Sequence, residues 1–345
     1  MWYEYFIDRN LLPRFVVRMA VKFMLGRYAD RVNRFTSDEI ADLQSDFRSE
    51  CSSGSFAINT QDANLQHYEV PVWFFKSLLG TNMKYSGSFW DSDTRNIDSA
   101  DFKTLGKYDL RACIEDGHNI LDIGAGWGSM SLYLAQKYKK SNITAVTNSR
   151  TQLEYIQQEI SRTGLDNIEV IKCDVNQLEF GRKFDRIIAI EMLEHTRNTG
   201  NLMQKISKWL NPDGKFFFQI FTHRIFPQLF DNKDDSWMSR YFFTGGMMPY
   251  MGFYEEIQSG LFKEKSWIEN GTSYHKTLES WIDNLDSTNL GSDLIDTSYC
   301  DSYDPKLLRN RFMIFLIICS ELFKFNKGKD WYLMNYLFTK NKGVV

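Results

Sequence analysis

LDIGAGWGSMSLYLA, residues 121–135, decides how this chain folds. An apolar run leads into Asp122, glycines follow at Gly124, Gly126 and Gly128, and an apolar-periodic segment starts at once. That is a strand, a tight loop and a helix in succession. Glycine is needed where the backbone takes positive φ or lies against a ligand. The helix start behind the loop offers unpaired N–H groups to a polar ligand. A dinucleotide fingerprint would read G-x-G-x-x-G, with a pyrophosphate on that helix. Here the spacing is G-x-G-x-G, and Ser129 stands where the third dinucleotide glycine would be. The acid two residues before the first glycine suits a cationic ligand better than a pyrophosphate.

Outward from this loop the pattern repeats. HNILDIG (118–124), NITAVTN (142–148), IEVIKCD (168–174), FDRIIAI (184–190) and GKFFFQIF (214–221) read as strands, with helical segments such as SMSLYLAQKY and TQLEYIQQEI between them. Strands alternating with helices predict an α/β fold, right-handed βαβ units around a mostly parallel sheet. NPDG at 211–214 predicts a turn directly before the fifth strand. FKEKSWIE (262–269) and DWYLMNYLF (330–338) supply two further strands, and residues 274–325 read as largely helical. The division is an N-terminal helical arm, 1–62, and a main domain, 63–345, with a core at 112–225 and a helical cap at about 226–325. Within the arm, residues 11–35 form an amphipathic helix: Leu12, Phe15, Val16, Met19 and Phe23 make an apolar stripe, and Arg14, Arg18 and Lys22 share the other face. A surface helix with a solvated basic face is one reading; peripheral contact with an anionic membrane is the other.

Composition narrows the function classes. With 345 residues, 25% charged, and a net charge of −3, nothing advertises nucleic acid as a partner. The five cysteines (Cys51, Cys113, Cys173, Cys300 and Cys319) are odd in number, scattered and in no C-x-x-C pair. That points to free thiols in a reducing, cytoplasmic compartment and away from a metal site. The first residues, MWYEYFIDRN, carry acids and no apolar core, unlike a secretory signal.

The acid followed by spaced glycines, D-x-G-x-G-x-G, resembles the S-adenosylmethionine-dependent methyltransferases of the Rossmann-like class. The resemblance implies S-adenosylmethionine as cofactor, bound by Asp122, Gly124 and Gly126 beyond the strand ends. Many such enzymes place an acid after the second strand for the ribose hydroxyls. TNSRTQ stands there instead, so Asn148 and Gln152 take that place through neutral hydrogen bonds. Asp174 falls where it can accept from the adenine amino group, with Val175 and Ile190 beside the cofactor. Further segments resemble the cyclopropane fatty acid synthases and the coclaurine N-methyltransferase group: HYEVPVWFFKSLLGTNMKYSGSFW (67–90), VTNSRTQLEYI, EMLEH, WLNPDGKFFF and, for the N-methyltransferases specifically, YFFTGGMMP and NGTSYHKT. By that likeness Tyr68, Tyr85 and Ser86 join the cofactor site. Cyclopropane synthases resemble a variant with a bicarbonate base held by a cysteine, a glutamate, a strand histidine and a late tyrosine. Here the cysteine position is Gly87 and the histidine position is Gln219, leaving Glu194. A bicarbonate stripped of its ligands would be a poorly compensated buried charge. N-methylation of a small, aromatic or isoquinoline-type amine is therefore the leading expectation. Modification of unsaturated phospholipids is the alternative, and a cofactor-binding protein without turnover is another.

One cluster remains: IIAIEMLEHTR (187–197) ends an apolar strand in Glu191, Glu194 and His195. An aliphatic ammonium must lose a proton before its nitrogen can attack, at a cost of ~4–5 kcal/mol at pH 7. A carboxylate binds the cation and a neutral imidazole takes the proton. That assigns Glu191 and Glu194 to ammonium binding and His195 to general base, an E-x-x-E-H use that the coclaurine-type enzymes resemble. Phe89, Trp90, Trp237, Tyr241, Phe242, Phe243 and Trp281 are candidates to wall the acceptor pocket, where a ring over the ammonium gains cation–π attraction. Tyr274 and His275 join them on resemblance. Nothing in the sequence fixes an oligomeric state.

Overall fold

The computed structural model describes residues 4–52, 70–230, 237–288 and 304–340. Its centre is a seven-stranded sheet. In chain order the strands are β1 (Asn119–Ile123), β2 (Asn142–Thr147), β3 (Ile168–Lys172), β4 (Phe184–Ile190), β5 (Leu210–His223), the short hairpin pair β6 (Gln228–Leu229) and β7 (Met247–Met248), β8 (Phe262–Glu269) and β9 (Trp331–Thr339). The helices are α1 (Glu4–Asp8), α2 (Arg14–Val32), α3 (Ser37–Glu50), α4 (Val72–Leu78), α5 (Ile97–Arg111), α6 (Ser129–Lys137), α7 (Arg150–Thr163), α8 (Thr199–Trp209), α9 (Trp237–Tyr241), α10 (Gly271–Ser287) and α11 (Pro305–Lys324).

The sheet order is β3-β2-β1-β4-β5-β9-β8. The first five strands are parallel, and β9 and β8 extend the sheet antiparallel. The order in which strands are added to the sheet reverses between β1 and β4, which opens a crevice beyond their carboxyl ends. Apolar residues facing both sides of the sheet, Ile120, Leu121, Ile187 and Ile188, bury the middle of those two strands.

Two expectations need correcting. Residues 211–214 do not precede the fifth strand; they bulge within it, since Phe184 pairs with Leu210 while Arg186 already pairs with Lys215. The N-terminal helix also sits the other way round. Phe15, Met19 and Phe23 are 64%, 57% and 67% exposed, whereas Val17, Val21 and Leu25 are buried. The reason is electrostatic: Arg18 bonds Glu279 of α10 at 2.9 Å and Glu321 of α11 at 2.7 Å, and Arg14 pairs with Asp286. The basic face is turned inward by acids that lie 260 or more residues away in sequence. A local periodicity count cannot see them.

Candidate functional site

A cavity of about 620 Å³ opens at the β1/β4 switch point. Its floor is the glycine loop. Gly124 and Gly128 take φ of +75° and +80°, and a Cβ on Gly124 would lie 2.4 Å from Met192 Cγ, one on Gly128 2.8 Å from Ile156 Cγ1. Only glycine allows both the turn and the close approach. Asp122 is 2% exposed, accepts from Ser131 Oγ at 2.6 Å, and burial pushes its carboxyl up to about 6. Around the loop the cavity is lined by Tyr85, Ser86, Asn148, Gln152, Asp174, Val175 and Ile190. Gln152 accepts from Thr147 Oγ1 at 2.6 Å, leaving its amide N–H₂ to donate, and Asp174 accepts from the backbone of Asn176 at 2.8 Å. Tyr68 lies outside the described residues. Trp127, at the centre of the glycine loop, and Trp281 both line the cavity with a buried indole N–H that has no hydrogen-bond partner. A glycine cradle at a helix start and two orphaned donors fit a polar nucleoside ligand.

The opposite end of the cavity carries the E-x-x-E-H cluster. Glu191 directly follows β4 with a left-handed backbone, φ +49°, a strained conformation for a side-chain-bearing residue and one that functional sites retain. Its Oε1 accepts from Gly87 N–H at 2.9 Å and Gln219 Nε2 at 2.8 Å, and its Oε2 from the Tyr274 hydroxyl at 2.8 Å. Burial pushes its carboxyl above the usual carboxylate range, opposed by the Lys84 charge and these donors. Glu194 accepts from Phe221 N–H at 2.7 Å, while its Oε2 is buried with no partner. Burial and the neighbouring Glu191 hold its carboxyl well above the usual range. Glu194 is fully buried behind the cavity wall, whereas Glu191 and His195 are on it. His195 lies parallel to Phe243, ring centres 6.1 Å apart, and burial pushes its imidazole down to about 4.

The aromatic residues divide into two rows. Phe243, Tyr274 and Trp281 line the cavity. Phe242 backs the wall, stacked 4.3 Å from Phe315, which does line it. Trp237 packs on Phe242 and Tyr241, and Tyr241 donates to Glu4 at 3.2 Å. Trp90 donates to Thr277 at 3.0 Å, Phe89 lies under the Lys107 ammonium, and His275 bonds Ser320 at 2.8 Å. These five and Phe242 are outside the lining. Residues the sequence did not single out complete the vault: Tyr28 of α2, Phe221 and Trp331 at the β5 and β9 ends, and Phe230 and Phe315. Lys84 was also missed. It is 1% exposed and donates to Ser86 Oγ at 2.8 Å and Gly87 O at 2.7 Å, clamping the 84–87 segment beneath the cavity. Burial pushes its ammonium down to about 8. A charged residue inside NMKYSGSFW was the only available signal.

Sheet order, switch-point cavity and glycine cradle together define the Rossmann-like S-adenosylmethionine-dependent methyltransferase fold. A family model described as mycolic acid cyclopropane synthetase matches residues 57–331, and the chain belongs to that family. It is 31% identical to an (S)-coclaurine N-methyltransferase of Thalictrum flavum subsp. glaucum, covering 97% of this chain and 94% of that one. A crystal structure of coclaurine N-methyltransferase bound to N-methylheliamine and S-adenosylhomocysteine superposes with a TM-score of 0.90 at 29% identity, covering 98% of each chain. The cyclopropane-fatty-acyl-phospholipid synthase of Escherichia coli (strain K12) is 29% identical over 63% of this chain and 55% of its own. The chain is an S-adenosylmethionine-dependent N-methyltransferase within the family.

Proposed function

We propose that the enzyme methylates the nitrogen of a small amine with an aromatic body, of the isoquinoline type named in its relatives. The observation that carries this reading is the Glu191 carboxylate on the cavity wall, set among Tyr274, His195 and an aromatic vault facing the glycine cradle. S-adenosylmethionine, when bound, supplies an electrophilic methyl group on a sulfonium. Glu191 pairs with the incoming ammonium, Tyr28, Phe243 and Trp331 take its apolar body, and the 85–86 segment separates it from the cofactor end. His195 is neutral above pH of about 4 and has a lone pair for the departing proton. The acidities also favour a second assignment. An amine near 10.4 gives its proton to an imidazole near 4 at an uphill cost of ~9 kcal/mol, so a carboxylate with a raised value is the better acceptor. Glu191, raised by burial and on the cavity wall, meets that description, whereas Glu194 lies behind the wall.

Phospholipid modification is disfavoured by the same residues. A side chain at Gly87 would lie 2.6 Å from Leu333 and 2.9 Å from Tyr274, so the space of a cysteine is already filled. Among the described residues no helix is long and apolar enough to cross a membrane. The basic residues Arg14 and Arg18, the expected membrane contact, are engaged with acids of the cap. The four free thiols described support a reducing, cytoplasmic setting for the enzyme. The test uses S-adenosylmethionine with a fully deuterated methyl group, offered with tetrahydroisoquinolines, phenethylamines and unsaturated phospholipid vesicles. An amine product keeping three deuteriums is expected. A lipid product keeping two, from methylene insertion, overturns the reading.

A further inference from the structure

Behind Glu191 a line of polar side chains crosses the sheet. Gln219 of β5 donates from Nε2 to Glu191 at 2.8 Å, Asn335 of β9 donates from Nδ2 to Gln219 Oε1 at 3.0 Å, and Arg111 of α5 donates to Asn335 Oδ1 at 2.9 Å. Gln219 and Asn335 are direct cross-strand partners, 1% and 0% exposed. Arg111 is anchored in turn by Glu269 at 2.6 Å and by the Trp267 ring 4.8 Å away, and Lys107 holds Glu269 at 3.2 Å. Two buried amides between strands cost free energy unless they are fully paired, so an apolar pair would pack there more cheaply. Their orientation suggests what they do.

We propose that Arg111 and Asn335 are positioning residues that, through Gln219, fix the Glu191 carboxylate as a hydrogen-bond acceptor facing the amine. A guanidinium has donors only. Asn335 must therefore turn its oxygen to Arg111 and its N–H₂ to Gln219, and Gln219 must turn its oxygen to Asn335 and its N–H₂ to Glu191. The chain has one direction, set by a permanent charge at its outer end. The inner end agrees, because Gln219 Nε2 also lies 3.4 Å from Gly87 O, and a reversed amide would set its oxygen against two acceptors. An acceptor is what an ionised carboxylate offers. The other groups facing Glu191 are Lys84, which favours its charge, Glu194, which opposes it, and the Tyr108, Tyr274 and His195 side chains, neutral at pH 7.

The proposal concerns the ionisation of Glu191; its kinetic consequence rests on the reading of Glu191 as the ammonium's partner. The test follows the ¹³C-carboxyl resonance of Glu191 in glutamate-labelled full-length enzyme, assigned by its loss in Glu191→Gln. Asn335→Asp keeps the shape but can only accept, so Gln219 is turned and presents oxygen to Glu191. The titration midpoint is expected to rise by about one unit, a tenfold change in ionisation. Gln219→Met, which removes the last donor without adding charge, is expected to raise it in the same direction. The acid limb of the amine KM should move with the midpoint, while S-adenosylhomocysteine affinity stays unchanged. Midpoints equal to wild type in both variants overturn the relay, even where Glu191→Gln raises amine KM and so upholds the role of Glu191. A shifted midpoint with an unmoved KM supports the relay and overturns that role.

Discussion

The cofactor half of the cavity comes from one contiguous loop, 121–128, and the ends of four adjacent strands, whereas the acceptor half, beyond the 85–86 segment, is assembled from α2, β5, α10, α11 and β9. The first half is held by backbone geometry that glycine alone permits. The second is held by long-range side-chain pairing: Tyr274 and Gln219 on Glu191, Arg18 on Glu279 and Glu321. A site built locally resists change elsewhere, and a site built from distant elements can be retuned one wall at a time. Substrate choice therefore belongs to the second half, and a shared cofactor to the first.

The sharpest way to separate the halves is Glu191→Gln. The variant keeps the shape but removes the charge that meets the ammonium. Amine kcat/KM is expected to fall about 100-fold or more, with S-adenosylhomocysteine affinity unchanged in calorimetry. An equal loss in both would mean that the carboxylate supports the whole cavity rather than the acceptor.

Acid and base should strain the halves in opposite directions. Asp122, pushed up to about 6, stabilises the fold fully below the usual carboxylate range and loses that contribution as pH rises through about 6. His223, at the base of the acceptor half, is pushed down to about 4 by burial, and its Nδ1 accepts from Ile225 and Phe226 N–H at 3.1 and 2.7 Å. It stabilises above about 6.5 and loses that contribution as pH falls through about 4. Each shift of roughly two units corresponds to about 3 kcal/mol. Urea unfolding from pH 4 to 8 should show Asp122→Asn flattening the loss on the alkaline side and His223→Asn the loss on the acid side. The same slope change from both variants would break the comparison.

The contrast also explains what could be read from the chain. The βαβ order, seven strands and glycine loop were legible because strand patterning and turn residues act over a dozen residues or fewer. The place of Glu191 and His195 at the cavity wall was legible because they follow a buried strand directly. Tyr28, Phe315 and Trp331 were not, since a ring in a helix or strand is marked as lining only by what packs opposite it. The aromatics 237–242 were overcalled for the same reason: they form the row behind the wall. The inward basic face of α2 was hidden by acids at 279, 286 and 321 that no window includes.

Gly124→Ala probes the local half. The added Cβ meets Met192, and the left-handed backbone at φ +75° becomes strained. Backbone strain alone costs ~1–2 kcal/mol, so S-adenosylhomocysteine affinity should drop at least about tenfold. Amine binding, read by quenching of indole fluorescence without cofactor, should move less.

The smallest expected effect tests the long-range half at its farthest strut. Arg18 is a quarter exposed, but its partner Glu321 is nearly buried, and Lys22 lies 3.7 Å away as the remaining cation. Arg18→Met keeps the apolar stem that covers the helix interface and removes the charge. The loss falls between that of a surface pair and that of a buried one, about 1–2 kcal/mol of stability. Because α2 also supplies Met24, Leu25 and Tyr28 to the cavity, amine KM should rise severalfold while cofactor affinity holds. Loss of stability without a change in KM would show that α2 covers the vault but does not shape it, and would confine substrate choice to β5, α10, α11 and β9.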